Sequence, residues 1–272
     1  MQRILFNSLI NWKENPDHLP LILRGARQVG KTYLIEAFGK SSFKNLLTIN
    51  FERDPQYKEC FAELNPQKIL MQLELLSGQK ITSGESLVFF DEIQECPSAI
   101  QSLRYFKEEY PQLHVIGAGS LLEFTLHQAK FSMPVGRVQF LYLKPLSFKE
   151  FLWAQAKENL SEYLEQLNLN DDIPSAIHEE LLTQIRLYLV LGGMPAVLNS
   201  YLANQSIQEA RNIQTALLQS YRSDFGKYSK HHELAYLETV FTKLPALVSQ
   251  QIKYKKLDPD ALSRNLKAAI EK

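Results

Sequence analysis

Two short stretches carry residue types that can do chemistry together. Residues 25–32 read Gly-Ala-Arg-Gln-Val-Gly-Lys-Thr and follow the apolar run Leu19 to Leu23 after a single arginine. A strand, a glycine-bearing turn and a helix in that order make an anion site, because successive backbone N–H groups and the positive helix end converge on one point. Gly25 and Gly30 let the backbone wrap close to phosphate oxygens. Ala26, Arg27, Gln28 and Val29 supply the amides between them, Lys31 reaches the β and γ phosphates, the Thr32 hydroxyl is a ligand for Mg²⁺, and Tyr33 leads into the helix. The ordinary alternative is a turn with a helix cap.

The second stretch, Leu87-Val88-Phe89-Phe90-Asp91-Glu92, ends a fully apolar run in two acids. Such a run predicts a strand buried on both faces. Asp91 then emerges at its carboxyl end to hold Mg²⁺, and Glu92 orients or polarises an attacking water. A pair of acids at a strand end also occurs merely where a strand meets solvent. The next apolar run ends in Ser120, a candidate for approach to a γ-phosphate and equally a candidate N-cap for the helix 121–128.

The elements that position these residues follow from the alternation of apolar runs with helical patterns. Residues 2–14 predict a leading helix stopped by Pro16. Five short strands then alternate with helices up to Pro145, the signature of a parallel sheet covered by helices. Asn65-Pro66 and Gly78 bracket one helix as cap, first turn and stop. From residue 147 the pattern is nearly all helical, interrupted by Gly192-Gly193-Met194-Pro195. The expected division is a core domain over 1–146, a helical domain over 147–230 and a partial winged-helix segment over 231–272. His231 and His232 read as surface residues in a polar connection. Phe148, Phe151 and Trp153 read as packing residues.

GARQVGKT, NFERDP, LVFFDEIQ, VIGAGS, GRVQFLYLKPLSFKEFL and YLVLGGMPAVL occur in that order. As a set they resemble the bacterial and archaeal AAA-type ATPases of the AAA+ superfamily that carry a C-terminal companion domain of unknown function. The resemblance implies a P-loop ATPase core in which the strand ending near Gly117 lies between the strands of Leu19–Leu23 and Leu87–Phe90. It implies a helical and winged-helix region after the core, with ATP and Mg²⁺ as cofactors. Arg137 takes the family's Gly-Arg position, where it would stabilise charge on the γ-phosphate within the chain or from a neighbouring subunit; a salt bridge at a strand end is the plain alternative. Gly193 and Pro195 match a turn that closes over the nucleotide in related ATPases, and they also suit a simple helix breaker. VIGAGS is less polar than the ending usual in relatives. The chain stops at residue 272 where relatives continue, so further sequence is expected to be missing.

Bulk properties bound the partners. Lys plus Arg and Asp plus Glu stand at 30 each, which gives no global field for a polyanion. From residue 221 onward ten basic residues face six acidic ones, a modest excess that fits a DNA contact or a solvated helix face. Cys60 and Cys96 lie in no metal or redox spacing. No apolar run is long enough to span a bilayer, so the expectation is a cytoplasmic protein with no membrane partner. The leading functional expectation is an ATPase whose hydrolysis moves core against helical domain. The alternative is a slowly hydrolysing nucleotide switch. A homo-oligomer, and a DNA or protein partner through the C-terminal half, stay open.

Overall fold

The computed structural model describes residues 1–120, 136–168, 170–228 and 231–271. A helix α1 (Leu5–Glu14) leads into β1 (Leu21–Arg24), α2 (Lys31–Ser42), β2 (Asn45–Asn50), α3 (Pro66–Ser77), β3 (Ser86–Asp91), α4 (Pro97–Glu109), β4 (His114–Ala118) and β5 (Gln139–Tyr142). The five strands form one parallel sheet in the order β2-β3-β4-β1-β5. The strand ending near Gly117 therefore lies between β1 and β3, as the family resemblance implied. The predicted helix at 121–128 lies outside the described residues.

Alternation along the central strands explains why both sheet faces are covered. Leu21, Leu23, Leu87, Phe89 and Ile116 pack into one apolar cluster with Leu9, Trp12 and Phe38. Ile22, Val88, Phe90 and Val115 pack into the opposite cluster with Phe51, Phe61 and Phe106. All six residues of β3 are buried. Caps read from sequence are in place: the Asn65 side chain accepts from the Lys68 N–H at 3.0 Å, and Gly78 ends α3 in the left-handed conformation.

Two compact units emerge, Met1–Ala210 and Arg211–Lys272, so the expected boundaries at 146 and 230 are not where the chain divides. Three contacts explain why residues 147–210 join the core unit. Arg3 and Glu150 form a buried ion pair at 3.0 Å, the Leu146 N–H donates to the Gly193 carbonyl at 2.7 Å, and the Tyr188 hydroxyl donates to the Leu146 carbonyl at 2.7 Å. Phe148, Phe151 and Tyr188 stack together beside them, the packing role read for the two phenylalanines.

The second unit gathers Leu237, Val240, Leu257, Leu266 and Ala269 into its own small core. Its described residues show the helical part of the expected partial winged helix and no wing. Residues 231–243, 254–257 and 263–271 are helical, and no strand occurs among them to make a wing. The backbone at His231 and His232 opens a helix rather than a polar connection. Among the described residues, no single helix is long and apolar enough to cross a membrane.

Candidate functional site

The loop between β1 and α2 owes its shape to two constraints. Gly25 sits at φ 149°, and a Cβ there would lie 2.2 Å from the Leu143 carbonyl, so no side chain fits. Val29 is fully buried in the sheet-face cluster, which anchors the turn from below. Ala26 and Gln28 are exposed between these anchors, and Gln28 adopts φ 64°.

Lys31 is buried, with its Nζ donating to the carbonyls of Gly25 and Ala26 at 2.9 Å each. Burial pushes the ammonium pKa below its usual range, against the nearby negative charge of Glu92 and Asp91. Asp91 stands at the end of β3, opposite Asn50 at the end of β2. Its Oδ2 accepts from the Thr32 hydroxyl at 3.0 Å and from the Asn50 amide at 3.0 Å. Burial raises the carboxyl pKa, and the Thr32 and Asn50 hydrogen bonds pull it back. The sequence thus places Lys31, Thr32 and Asp91 together as predicted. Asn50 was not read as a site residue, because strand register is what brings it to Asp91.

Glu92 follows in a left-handed conformation, φ 48°, at the start of a short 3₁₀ turn. That conformation costs a non-glycine residue about 1–3 kcal/mol. Its Oε2 accepts from the Gln94 amide at 2.6 Å, while Gln94 Oε1 is buried without a partner among the described residues. No local sequence pattern marks Gln94 as a partner of Glu92. Ser120 lies half-buried two residues beyond β4, at the carboxyl edge of the sheet.

Arg137 requires a correction. Residue 139 pairs with Leu21 at the amino end of β1, whereas the loop follows Arg24, which pairs with Tyr142. About 16 Å of strand separates Arg137 from the loop, beyond reach of its own side chain. It pairs instead with Glu108 at 3.5 Å, which is the strand-end salt bridge. A role within the same chain is excluded.

The Gly-Gly-Met-Pro turn divides its work. Gly193 packs against the strand connection, where a Cβ would lie 2.3 Å from the Leu146 carbonyl. Pro195 reaches the loop, its Cγ 3.9 Å from where a Gly30 Cβ would stand. Between them opens a cavity of about 300 Å³ lined by Arg3, Val29, Gly30, Tyr33, Pro195 and Asn199 among others. Tyr33 borders it and is 63% exposed. Arg3 and Asn199 carry no sequence pattern that would single them out.

The segment that builds the loop, the helix N-terminus, the buried lysine and the Thr–Asp contact also matches a known family. The model of the AAA domain fits residues 17–152, half of the chain. This chain belongs to the AAA domain family. A second match, over residues 182–271, is to a domain of unknown function, DUF8612, so the AAA domain is followed by a companion of the kind the resemblance implied. Among solved structures, a Walker-type ATPase of Pyrococcus abyssi is similar at 18% identity, covering 98% of this chain and 86% of that one with a TM-score of 0.55. The ORC2 protein of Aeropyrum pernix, solved in ADPNP–ADP complexes, is similar at 12% identity over 99% of this chain and 85% of that one, with a TM-score of 0.47. At these identities the likeness to the Pyrococcus protein speaks to the P-loop fold alone, and the second score carries no argument. A comparison with curated proteins returned no match.

Proposed function

We propose that this AAA domain protein binds Mg-ATP on residues 25–33 and hydrolyses it, closing the Pro195 segment over the bound nucleotide. One observation carries the reading. Asp91 is a carboxylate, 4% exposed, whose hydrogen-bond partners Thr32 and Asn50 are both neutral, set beside a lysine that is occupied only with its own loop's carbonyls. A buried anion so placed suits a cation delivered with phosphate.

The residues fit Mg²⁺ on chemical grounds: a hard oxygen set of one hydroxyl and one carboxylate. Among the described residues no cluster of three or more His, Cys, Asp or Glu could hold a metal alone, so phosphate oxygens would complete the shell. Bound there, Mg²⁺ neutralises charge on the β and γ phosphates. Lys31 exchanges its two carbonyl partners for phosphate oxygens. Glu92 orients the attacking water, and Ser120 at the neighbouring strand end approaches the γ-phosphate. The cavity by Tyr33, Pro195 and Asn199 takes the adenine base. Arg137, solvent-facing, would act on the nucleotide of a second copy of the chain. Exposed Lys253, Lys255 and Lys256 in the second unit are the place to look for salt-dependent DNA binding.

The slow-switch reading has its own support. The Gln94 amide occupies one Glu92 oxygen and leaves its own carbonyl unsatisfied, an arrangement costing about 1–3 kcal/mol. Glu92 would then stay withdrawn from water until something displaces Gln94. Steady-state phosphate release separates the readings: turnover in wild type that vanishes in Glu92→Gln with ATP binding retained supports the ATPase. If Gln94→Ala turns over faster than an almost inert wild type, the switch is the better account. No turnover in either variant or wild type removes hydrolysis from the proposal.

A further inference from the structure

The start of the chain holds a buried cation, at the edge of the cavity by Tyr33 and Pro195, to which the nucleotide reading gives no role of its own. Arg3 is 8% exposed and ties three segments together. Its Nε donates to Glu150 Oε1 at 3.0 Å, its Nη1 to the Val29 carbonyl at 2.9 Å, and its Nη2 to the Lys144 carbonyl. Glu150 is itself fixed, accepting from the Ile4 N–H at 2.8 Å, the Ser147 N–H at 2.8 Å and the Ser147 hydroxyl at 3.2 Å. A planar guanidinium held along one edge by a fixed carboxylate has its remaining N–H groups aimed.

The Val29 carbonyl is one half of a peptide unit whose other half is the Gly30 N–H. In a trans peptide these two groups point in opposite directions, and the described backbone contains no cis bond. Holding the oxygen toward Arg3 therefore turns the Gly30 N–H away from it. Gly30 is the N-cap of α2, so that N–H has no acceptor inside the helix. The guanidinium lies directly behind this residue, with Nη1 4.0 Å from where a Gly30 Cβ would stand. The buried Val29 side chain fixes one side of this peptide and the Leu34 N–H, donating to the Gly30 carbonyl at 3.0 Å, the other; Arg3 holds the Val29 carbonyl between them.

We infer that Arg3 is a positioning residue for the phosphate loop: it pins the Val29 carbonyl so that the Gly30 N–H faces the anion. Through Glu150 the same guanidinium couples the loop's aim to the helix Phe148–Ala154. The identity of the anion rests on the nucleotide reading above; the pinning does not.

The test needs a variant without a stranded buried charge, so Arg3→Met is combined with Glu150→Gln, with Arg3→Lys as the conservative comparison. Two readouts are taken. In free protein, amide hydrogen exchange at residues 26–31 is compared with exchange in β3. In titrations, affinities for Mg-ATP, Mg-ADP and Mg-pyrophosphate are compared. Loss of one well-aimed amide predicts about a tenfold fall in affinity for all three, pyrophosphate included although it has no base, and faster exchange in the loop while β3 is unmoved. Arg3→Lys, a point charge without the fork, would recover only part of both. Equal acceleration in loop and β3, or unchanged loop exchange and unchanged ATP affinity, overturns the inference. A wild type that takes up no nucleotide, with loop exchange still dependent on Arg3, refutes the nucleotide reading and leaves the pinning standing.

Discussion

Lys31 and Arg3 are both cations buried against the same loop, and the loop holds them in opposite ways. Arg3 is compensated by a carboxylate that burial pushes up in pKa and that hydrogen bonds from Ser147, Ile4 and Arg3 pull back down, below the usual carboxylate range. Lys31 has two neutral carbonyls for partners, and burial works against its charge. A cation with a fixed counter-charge is structure. One held by exchangeable carbonyls is available to an anion that arrives later. The difference lies in what each side chain touches, since the two are equally buried.

The comparison breaks first at Glu150. Glu150→Ala strands the Arg3 guanidinium and should cost about 3–5 kcal/mol in urea-monitored unfolding, whereas Lys31→Met should change stability by no more than about 1 kcal/mol because the partners it leaves are neutral carbonyls and Asp91 keeps its Thr32 and Asn50 hydrogen bonds. If both cost the same, the distinction between the two cations is wrong. Lys31→Met should instead lower ATP affinity roughly 10–100-fold by calorimetry, the range of a lost charge-assisted hydrogen bond.

A third buried titratable group sharpens the contrast at the other end of the sheet. His114 stacks on His18 at 4.0 Å and packs edge-on to Trp12, and burial lowers its pKa to about 4. The unfolded chain, with an ordinary histidine near 6.5, takes up a proton in the window between those values and the folded chain does not. Stability should be level above pH 6.5 and fall by about 2–3 kcal/mol as pH drops toward 4. His114→Gln should remove that slope, and a slope that persists would place its origin elsewhere. The smallest effect is expected at Asp91. Its raised pKa means that folding works against its charge at neutral pH, so Asp91→Asn should raise the melting temperature of the free protein while abolishing any Mg²⁺ dependence of nucleotide binding.

Much of this was legible in the chain. Residues 25–32 and 87–92 are local patterns, and burial on both faces of β3 follows from its unbroken apolar run. Asn50 was out of reach because its place beside Asp91 depends on the register of β2 on β3, which periodicity does not encode. Arg3 was read only as part of an amphipathic helix start; its partners lie 26 to 147 residues away. For Arg137 the motif left three roles open, within the chain, across a subunit boundary or in a strand-end salt bridge, and it is the register of β5 on β1 that sets it far from its own loop and beside Glu108. The partial winged helix expected over 231–272 came from family resemblance rather than from any strand pattern in those residues, and the described part of that segment is helical.

Calorimetric titration of the wild type and Thr32→Ala with ATP, each with and without Mg²⁺, tests the central claim most directly. The account predicts saturable binding by wild type that tightens with Mg²⁺, and a variant that binds more weakly with no response to the metal. Absence of heat in wild type, or a Thr32→Ala protein with the same Mg²⁺-dependent affinity, would contradict it.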